Sequence, residues 1–263
     1  MVEMVWLNGA LVPAGEAAIS VADRGFTLGD GLFETLRLQN GAAQDVPAHF
    51  ARLASGAALL RLALPFDAAG MAEILARTAA ANGLTEGGLR LTLTRGAGPR
   101  GLLPPAAPKV TLLATAFAVS PVQGVRAIIA RSIARDETSP LSRVKSLNYL
   151  PNILARLEAQ DSGAEEAILL NHAGRVAGAS IGNVLVRTGA LWLTPPVSDG
   201  ALPGIRRAKL LAAGLVGEAP ISPEMLQNAT AICVCNVLAV RPIVALDGVA
   251  LPAMGLGETG VSG

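Results

Sequence analysis

The chain of 263 residues is poor in lysine, cysteine and histidine, and each shortage narrows its chemistry. Of 21 cationic residues only three are lysines: Lys109, Lys145 and Lys209. Arginine cannot replace a lysine where a primary amine is needed, because its guanidinium stays protonated and forms no imine with an aldehyde. Cys233 and Cys235 are the only cysteines, one residue apart. That is the wrong spacing for a C-x-x-C redox or zinc motif, and no disulfide framework is possible. With no signal-peptide pattern in MVEMVWLNGA, a cytoplasmic location is expected. His49 and His172 have no partner at metal-ligand spacing, so no metal is expected. A net charge of +1 leaves no electrostatic footprint for nucleic acid or an anionic membrane. Every apolar run is broken by Gly, Pro or a charge before it reaches the length of a membrane span. There is no G-x-S-x-G, no P-loop and no post-strand G-x-G-x-x-G, which weakens hydrolase, nucleotide-triphosphatase and dehydrogenase readings.

What is present is a globular composition, 51% hydrophobic and 16% charged, long enough for about two domains. A small, neutral partner is the default. Met4 to Asn8 and Leu11 to Pro13 flank Gly9 and read as a hairpin. Glycines at 25, 29 and 31 predict an irregular loop; after it, Leu32 to Leu38 alternates and ends on an Asn40-Gly41 turn signal. Pro47 to Leu62 and Phe66 to Ala81 carry apolar residues at helical spacing. Leu89 to Thr94 and Val110 to Thr115 read as strands bracketing RGAGPRGLLPP, whose glycines and prolines forbid regular structure. The break at FAVSPVQG divides the chain into residues 1–118, a linker at 119–124, and residues 125–263. In the second part Val125 to Ala130 and Glu166 to Leu170 are predicted strands and Leu150 to Asp161 a helix. A hairpin is predicted across Thr188-Gly189-Ala190, and two short strands between Ile232 and Leu246.

Three features carry chemistry. Lys145, in RVKSLNYL, is an amine in a leucine-rich frame; if the segment is extended, Arg143 projects from the same face, where a second cation favours the neutral nucleophile. LPGIRR opens a helix on a Pro-Gly turn, leaving backbone N–H groups near Ile205 and Arg206 able to hold an anion. Arg52 and Arg100 offer planar forks, the first to a phosphate and the second to a substrate carboxylate.

Taken in order, DRGFTLGDGLFETLR, HFARL, TRGAGPRG, KSLNYL, GAEEAILLNHAGRV, Asn183-Val184 and LPGIRR resemble the class IV pyridoxal-phosphate enzymes: branched-chain and D-amino-acid transaminases and 4-amino-4-deoxychorismate lyase. The resemblance implies an α/β (α+β) fold with a small N-terminal α/β domain and a larger barrel-like C-terminal domain that carries Lys145. It implies pyridoxal 5'-phosphate as cofactor between them, and a homodimer completing the sites. Lys145 then matches the Schiff-base lysine, Arg52 the phosphate-binding arginine, and Gly204, Ile205 and Arg206 the phosphate cradle. Tyr149 matches a tyrosine at the ring hydroxyl and Leu202 the apolar residue against the ring. Asn236 is expected near cofactor and substrate, with Phe33 and Arg100 on the substrate side.

One departure bears on catalysis. Five residues before Asn183, where the family usually has the glutamate that pairs with the pyridine nitrogen, stands Gly178. A weaker electron sink follows. Ser180 or a water could contact the nitrogen, without supplying charge. The R-G-x-G-x-R-G loop and VCNVL favour the lyase, releasing p-aminobenzoate and pyruvate. A transaminase is the alternative, and a weakly or non-catalytic cofactor-binding homologue a further one.

Overall fold

In the computed structural model, residues 2–254 and 256 are described. The chain divides into two compact units, one running to Ser120 and including Val144–Asn148, the other formed by Pro121–Arg143 and the residues from Tyr149 onward. The fold is mixed α/β.

The first unit is a six-stranded sheet with helices. Its elements are β1 (Met4–Leu7), β2 (Ala10–Pro13), α1 (Arg24–Leu28), β3 (Gly31–Gln39), β4 (Ala42–Ala43), α2 (Val46–Leu60), α3 (Ala68–Ala81), β5 (Gly87–Thr94) and β6 (Thr111–Phe117). The strand order is β2-β1-β6-β5-β3-β4, and every pairing is antiparallel. Alternation decides the faces. Leu32, Leu36 and Leu38 of β3, Leu89, Leu91 and Leu93 of β5, and Leu112, Ala114 and Ala116 of β6 join one core with residues of α2 and α3. The intervening positions, Phe33, Thr35, Arg90, Thr92 and Thr115 among them, take the other face.

The sequence predicted an irregular loop before β3. Instead the Asp23 side chain accepts from Gly25 N at 2.7 Å and caps α1, and Gly29, at φ +66°, ends that short helix. The predicted start of α3 at Phe66 is likewise moved, to a cap at Asp67 that accepts from Gly70 N.

In the second unit a nine-stranded sheet curls into a half-barrel. Its elements are β7 (Val125–Ile129), α4 (Leu150–Asp161), β8 (Glu166–Leu170), β9 (Val176–Ala179), β10 (Asn183–Thr188), β11 (Leu191–Thr194), α5 (Ile205–Ala212), β12 (Gly217–Glu218), α6 (Pro223–Gln227), β13 (Ala231–Cys235), β14 (Val240–Leu246) and β15 (Val249–Ala250). The path is β12-β11-β10-β13-β14-β7-β8-β9, with β15 on β14. The parallel pairs β11–β12, β14–β7 and β7–β8 sit among antiparallel ones. Val184, Val186, Ile232, Val234, Ile243 and Ile168 fill one core of this unit. The hairpin across Gly189 forms as predicted. The strand β9 was not predicted, because VAGA has too little side chain to show a period.

Candidate active site

Lys145 was expected with the C-terminal half of the chain, yet by its contacts it sits with the first unit. The reason is backbone pairing. Phe33 N donates to the Lys145 carbonyl at 3.0 Å, Leu147 N donates to the Gly31 carbonyl at 3.0 Å, and Leu32 and Ser146 form an antiparallel bridge. The lysine segment thus adds to β3 as a short strand. Gly31 makes room for it, since a Cβ there would lie 2.8 Å from Leu147 Cδ1 and 2.5 Å from the Leu93 carbonyl oxygen.

This pairing sets the lysine's side chain over Phe33. Its Nζ lies 4.2 Å from the centre of the Phe33 ring, and Arg90 of β5 brings its guanidinium carbon to 3.8 Å of the same ring. The expected neighbour, Arg143, ends a 3-10 turn (Pro140–Arg143) and is not part of an extended run through Lys145. Arg90 is the cation found on this face, and no motif pointed to it. Its outward position in the alternating LRLTLT was the available signal. Lys109 and Lys209 are both exposed.

Arg52, His49 and Glu34 form a second cluster in this unit. Glu34 occupies an inward position of β3, between Leu32 and Leu36, and is buried. Positions 49, 52, 53 and 56 share one face of α2, so His49 and Arg52 meet it together. Arg52 donates from Nε to Oε1 at 2.8 Å and from Nη2 to Oε2 at 2.6 Å; His49 Nδ1 lies 2.7 Å from Oε2. Burial pushes the Glu34 carboxyl up, but the hydrogen bonds and charges of Arg52 and His49 outweigh it and hold it below the usual glutamate value. Arg52, predicted for a phosphate, thus has its guanidinium oriented by a buried carboxylate.

In the second unit the helix start expected at LPGIRR forms. α5 begins at Ile205 behind Gly204, and no side chain caps its first N–H groups. Gly204 is required there: a Cβ would stand 2.0 Å from Asn183 Oδ1. Asn183, at the start of β10, donates from Nδ2 to the Leu202 carbonyl at 2.8 Å and pairs with Cys235 at the end of β13. Next along the chain, Asn236 accepts from Leu238 N and Ala239 N and donates to the Ile181 carbonyl. Arg206 reaches the Val237 carbonyl at 3.2 Å. An open helix N-terminus behind a glycine, with an arginine in its first turn, fits a phosphate group.

Tyr149 stands at the N-cap of α4, and its proximity is felt by Arg135, whose guanidinium donates to the carbonyls of Gly200 and Ser142. Gly178 pairs with Leu169 within buried β9. A Cβ at 178 would press on the Gly182 carbonyl oxygen, at 3.3 Å. Ser180, expected as a stand-in for the missing carboxylate, is engaged elsewhere. Its Oγ bonds Glu166, its N–H donates to Glu166 Oε1 at 3.1 Å, and Arg156 reaches both residues. Glu166, buried at the head of β8, was not singled out from sequence. The two thiols, buried in β13, have pKa values raised to about 12, chiefly by desolvation, which removes them as nucleophiles. His172 does stand with Asp136 and Glu137, their ligand atoms within 4.8 Å of one another, which its spacing did not reveal. Glu137 there accepts the backbone N–H groups of His172 and Ala173.

Residues 31–246 match the family model for amino-transferase class IV. The chain belongs to the class IV aminotransferase family. A Methanocaldococcus jannaschii protein assigned as a branched-chain-amino-acid aminotransferase is 31% identical over 97% of this chain and 91% of its own length. The D-alanine aminotransferase of Bacillus licheniformis is 33% identical over 93% and 88%. Among solved structures, the branched-chain aminotransferase of Thermoproteus uzoniensis with norvaline aligns at a TM-score of 0.88 with 27% identity, covering 98% of this chain and 92% of that one. A Legionella pneumophila protein assigned as a 4-amino-4-deoxychorismate lyase aligns at 0.83 with 27% identity, covering 92% and 91%. As a class IV aminotransferase, the chain is a pyridoxal-phosphate-dependent enzyme.

Proposed function

We propose that this class IV enzyme is an amino-acid transaminase, acting on a D-amino acid or a branched-chain amino acid. One observation carries the reading: Lys145 Nζ and the Arg90 guanidinium share the Phe33 ring, so an amine and a carboxylate-binding fork stand on one sheet face. In this reading Lys145 would hold the cofactor at its aldehyde end, and its Nζ would take and return a proton. Gly204, Ile205 and Arg206 hold the phosphate through the start of α5, with Asn236 beside them and Arg52, oriented by Glu34, as a further phosphate ligand. Tyr149 serves the ring hydroxyl, Leu202 packs against the ring, and Gly178 lies toward its nitrogen. Phe33, Arg90 and Arg100 receive the substrate. When bound, the cofactor supplies an electron sink for the substrate's α-carbon.

The degree of similarity supports transamination, since both relatives described above, at 31% and 33% identity, carry aminotransferase descriptions. The lyase keeps a specific observation in its favour, the R-G-x-G-x-R-G loop at 95–101 together with the Legionella structure. We infer a homodimer as well: Leu150, Ile153, Leu154 and Leu157 form an exposed stripe at i, i+3, i+4 and i+7 on α4, an apolar face that a second copy would cover. Cytoplasmic residence fits the absence of any helix, among the described residues, long and apolar enough to cross a membrane.

The test is a half-reaction. Holoprotein mixed with D-alanine or L-leucine alone is expected to pass to the pyridoxamine form, seen in the cofactor absorbance. No change with any amino acid, but p-aminobenzoate and pyruvate from aminodeoxychorismate, selects the lyase; no change with either selects the cofactor-binding homologue.

A further inference from the structure

The loop that carries Arg100 has almost no regular structure, yet it is tied down from beneath by one side chain. Arg24, at the first position of α1, is 4% exposed. Its Nη2 donates to the Leu102 carbonyl at 2.7 Å, and its Nη1 to the carbonyls of Gly101 at 2.9 Å and Leu103 at 3.4 Å. Nε donates to Asp30 Oδ2 at 2.9 Å, and Asp30 is held in turn by Arg95 at 2.7 and 3.0 Å. Main-chain bonds continue the attachment: Arg24 N to the Gly96 carbonyl, Gly98 N to the Ala22 carbonyl, and a bridge between Asp23 and Ala97.

Three successive carbonyls turned inward force the side chains outward. Leu102 and Leu103 are 83% and 85% exposed, and Arg100 is exposed beside them. Gly98 clears the path of the arginine stem, because a Cβ there would lie 2.9 Å from Arg24 Cδ. Gly101 takes a φ of +117°, which a side chain would resist. A planar fork with five donors can satisfy Asp30 and three carbonyls at once, and a lysine cannot.

We propose that Arg24 is a positioning residue: through three backbone carbonyls it sets the Gly98–Leu103 loop, and with it the Arg100 guanidinium, for a substrate carboxylate. The proposal rests on the reading of Arg100 as a substrate ligand. It assigns a task to a buried guanidinium whose own chemistry takes no part in the reaction.

The experiment uses full-length holoprotein, trypsin and four variants, R24K, G98A, R100Q and the double variant R24K/R100Q. Trypsin cuts after Arg100 only where the loop opens. R24K, with cofactor absorbance and unfolding temperature close to the parent, is expected to be cut at Arg100 about tenfold faster. Its KM, measured with D-alanine or aminodeoxychorismate according to which is turned over, should rise about tenfold at nearly constant kcat, the pattern of lost uniform binding. R100Q should raise KM similarly, and the double variant R24K/R100Q no further. G98A, which presses only the arginine stem, should show the same effects in smaller degree and serves if R24K does not fold. Parent-like cleavage in both R24K and G98A overturns the proposal, and so does faster cleavage with unchanged KM while R100Q raises it. An unchanged KM in R100Q overturns it differently: the carboxylate reading of Arg100 has failed, while the cleavage rate of R24K still reports the clasp itself.

Discussion

Arg52 grips Glu34 with two nitrogens, Nε to Oε1 at 2.8 Å and Nη2 to Oε2 at 2.6 Å, inside the first unit. The carboxylate is buried and the guanidinium nearly so. A charge placed among leucines is tolerated because its lone pairs are met by Arg52 and His49.

Glu34→Gln removes the charge and leaves Arg52 uncompensated, so a loss of about 3 kcal/mol is expected at neutral pH. The sign with pH follows from linkage. The native carboxyl titrates below its usual value, so its stabilisation is complete above the ordinary glutamate value of 4.5 and disappears as pH falls through the native one. Unfolding temperatures of parent and variant, measured from neutral to acid pH, should therefore converge on acidification. A gap that stays constant would contradict the charge account.

Lys145 should be the residue labelled when protein and pyridoxal 5'-phosphate are reduced with borohydride. Lys145→Ala is expected to show no label by peptide mass spectrometry and to lose on the order of 10³-fold in turnover. Label on Lys109 or Lys209, with Lys145 unmodified, would overturn the assignment.

At Gly204 one added methyl is enough. Gly204→Ala places a Cβ 2.0 Å from Asn183 Oδ1 and must shift either that side chain or the start of α5. We expect about 1–3 kcal/mol of destabilisation and a weaker hold on the cofactor, read by titrating apoprotein with pyridoxal 5'-phosphate. Gly189→Ala, at a turn with nothing within 4 Å, is the control for backbone strain alone, since Gly189 has a positive φ.

Gly178→Glu brings its Cβ to 3.3 Å of the Gly182 carbonyl oxygen, an approach that the backbone must relieve by a small shift. A carboxylate buried in β9 without a partner is costly, so apoprotein should unfold at lower temperature. If the pyridine nitrogen lies there, added cofactor should restore the loss, and the half-reaction should quicken by about tenfold through a stronger electron sink. A thermal loss that cofactor does not repair would place the nitrogen elsewhere.

The elements that lie in local pattern were open to sequence reading. The Pro-Gly opening of α5 and the Leu32–Leu38 alternation follow from spacing and backbone chemistry within a few residues. So does the α4 helix, predicted and observed over the same residues, Leu150–Asp161. The order of motifs along the chain was enough to name the family. Tertiary structure decided which residues meet. Lys145 rides on β3 because its carbonyl accepts from Phe33 N–H and the Leu147 N–H donates to the Gly31 carbonyl, a register that no local propensity encodes. Arg90 reaches Phe33 only because β5 lies antiparallel to β3 with Phe33 opposite Thr92, one step along the same face. Neither Glu34 nor Arg24 was singled out from the sequence; packing buried both and gave each its partners, since a charge removed from water must find hydrogen bonds wherever the fold supplies them.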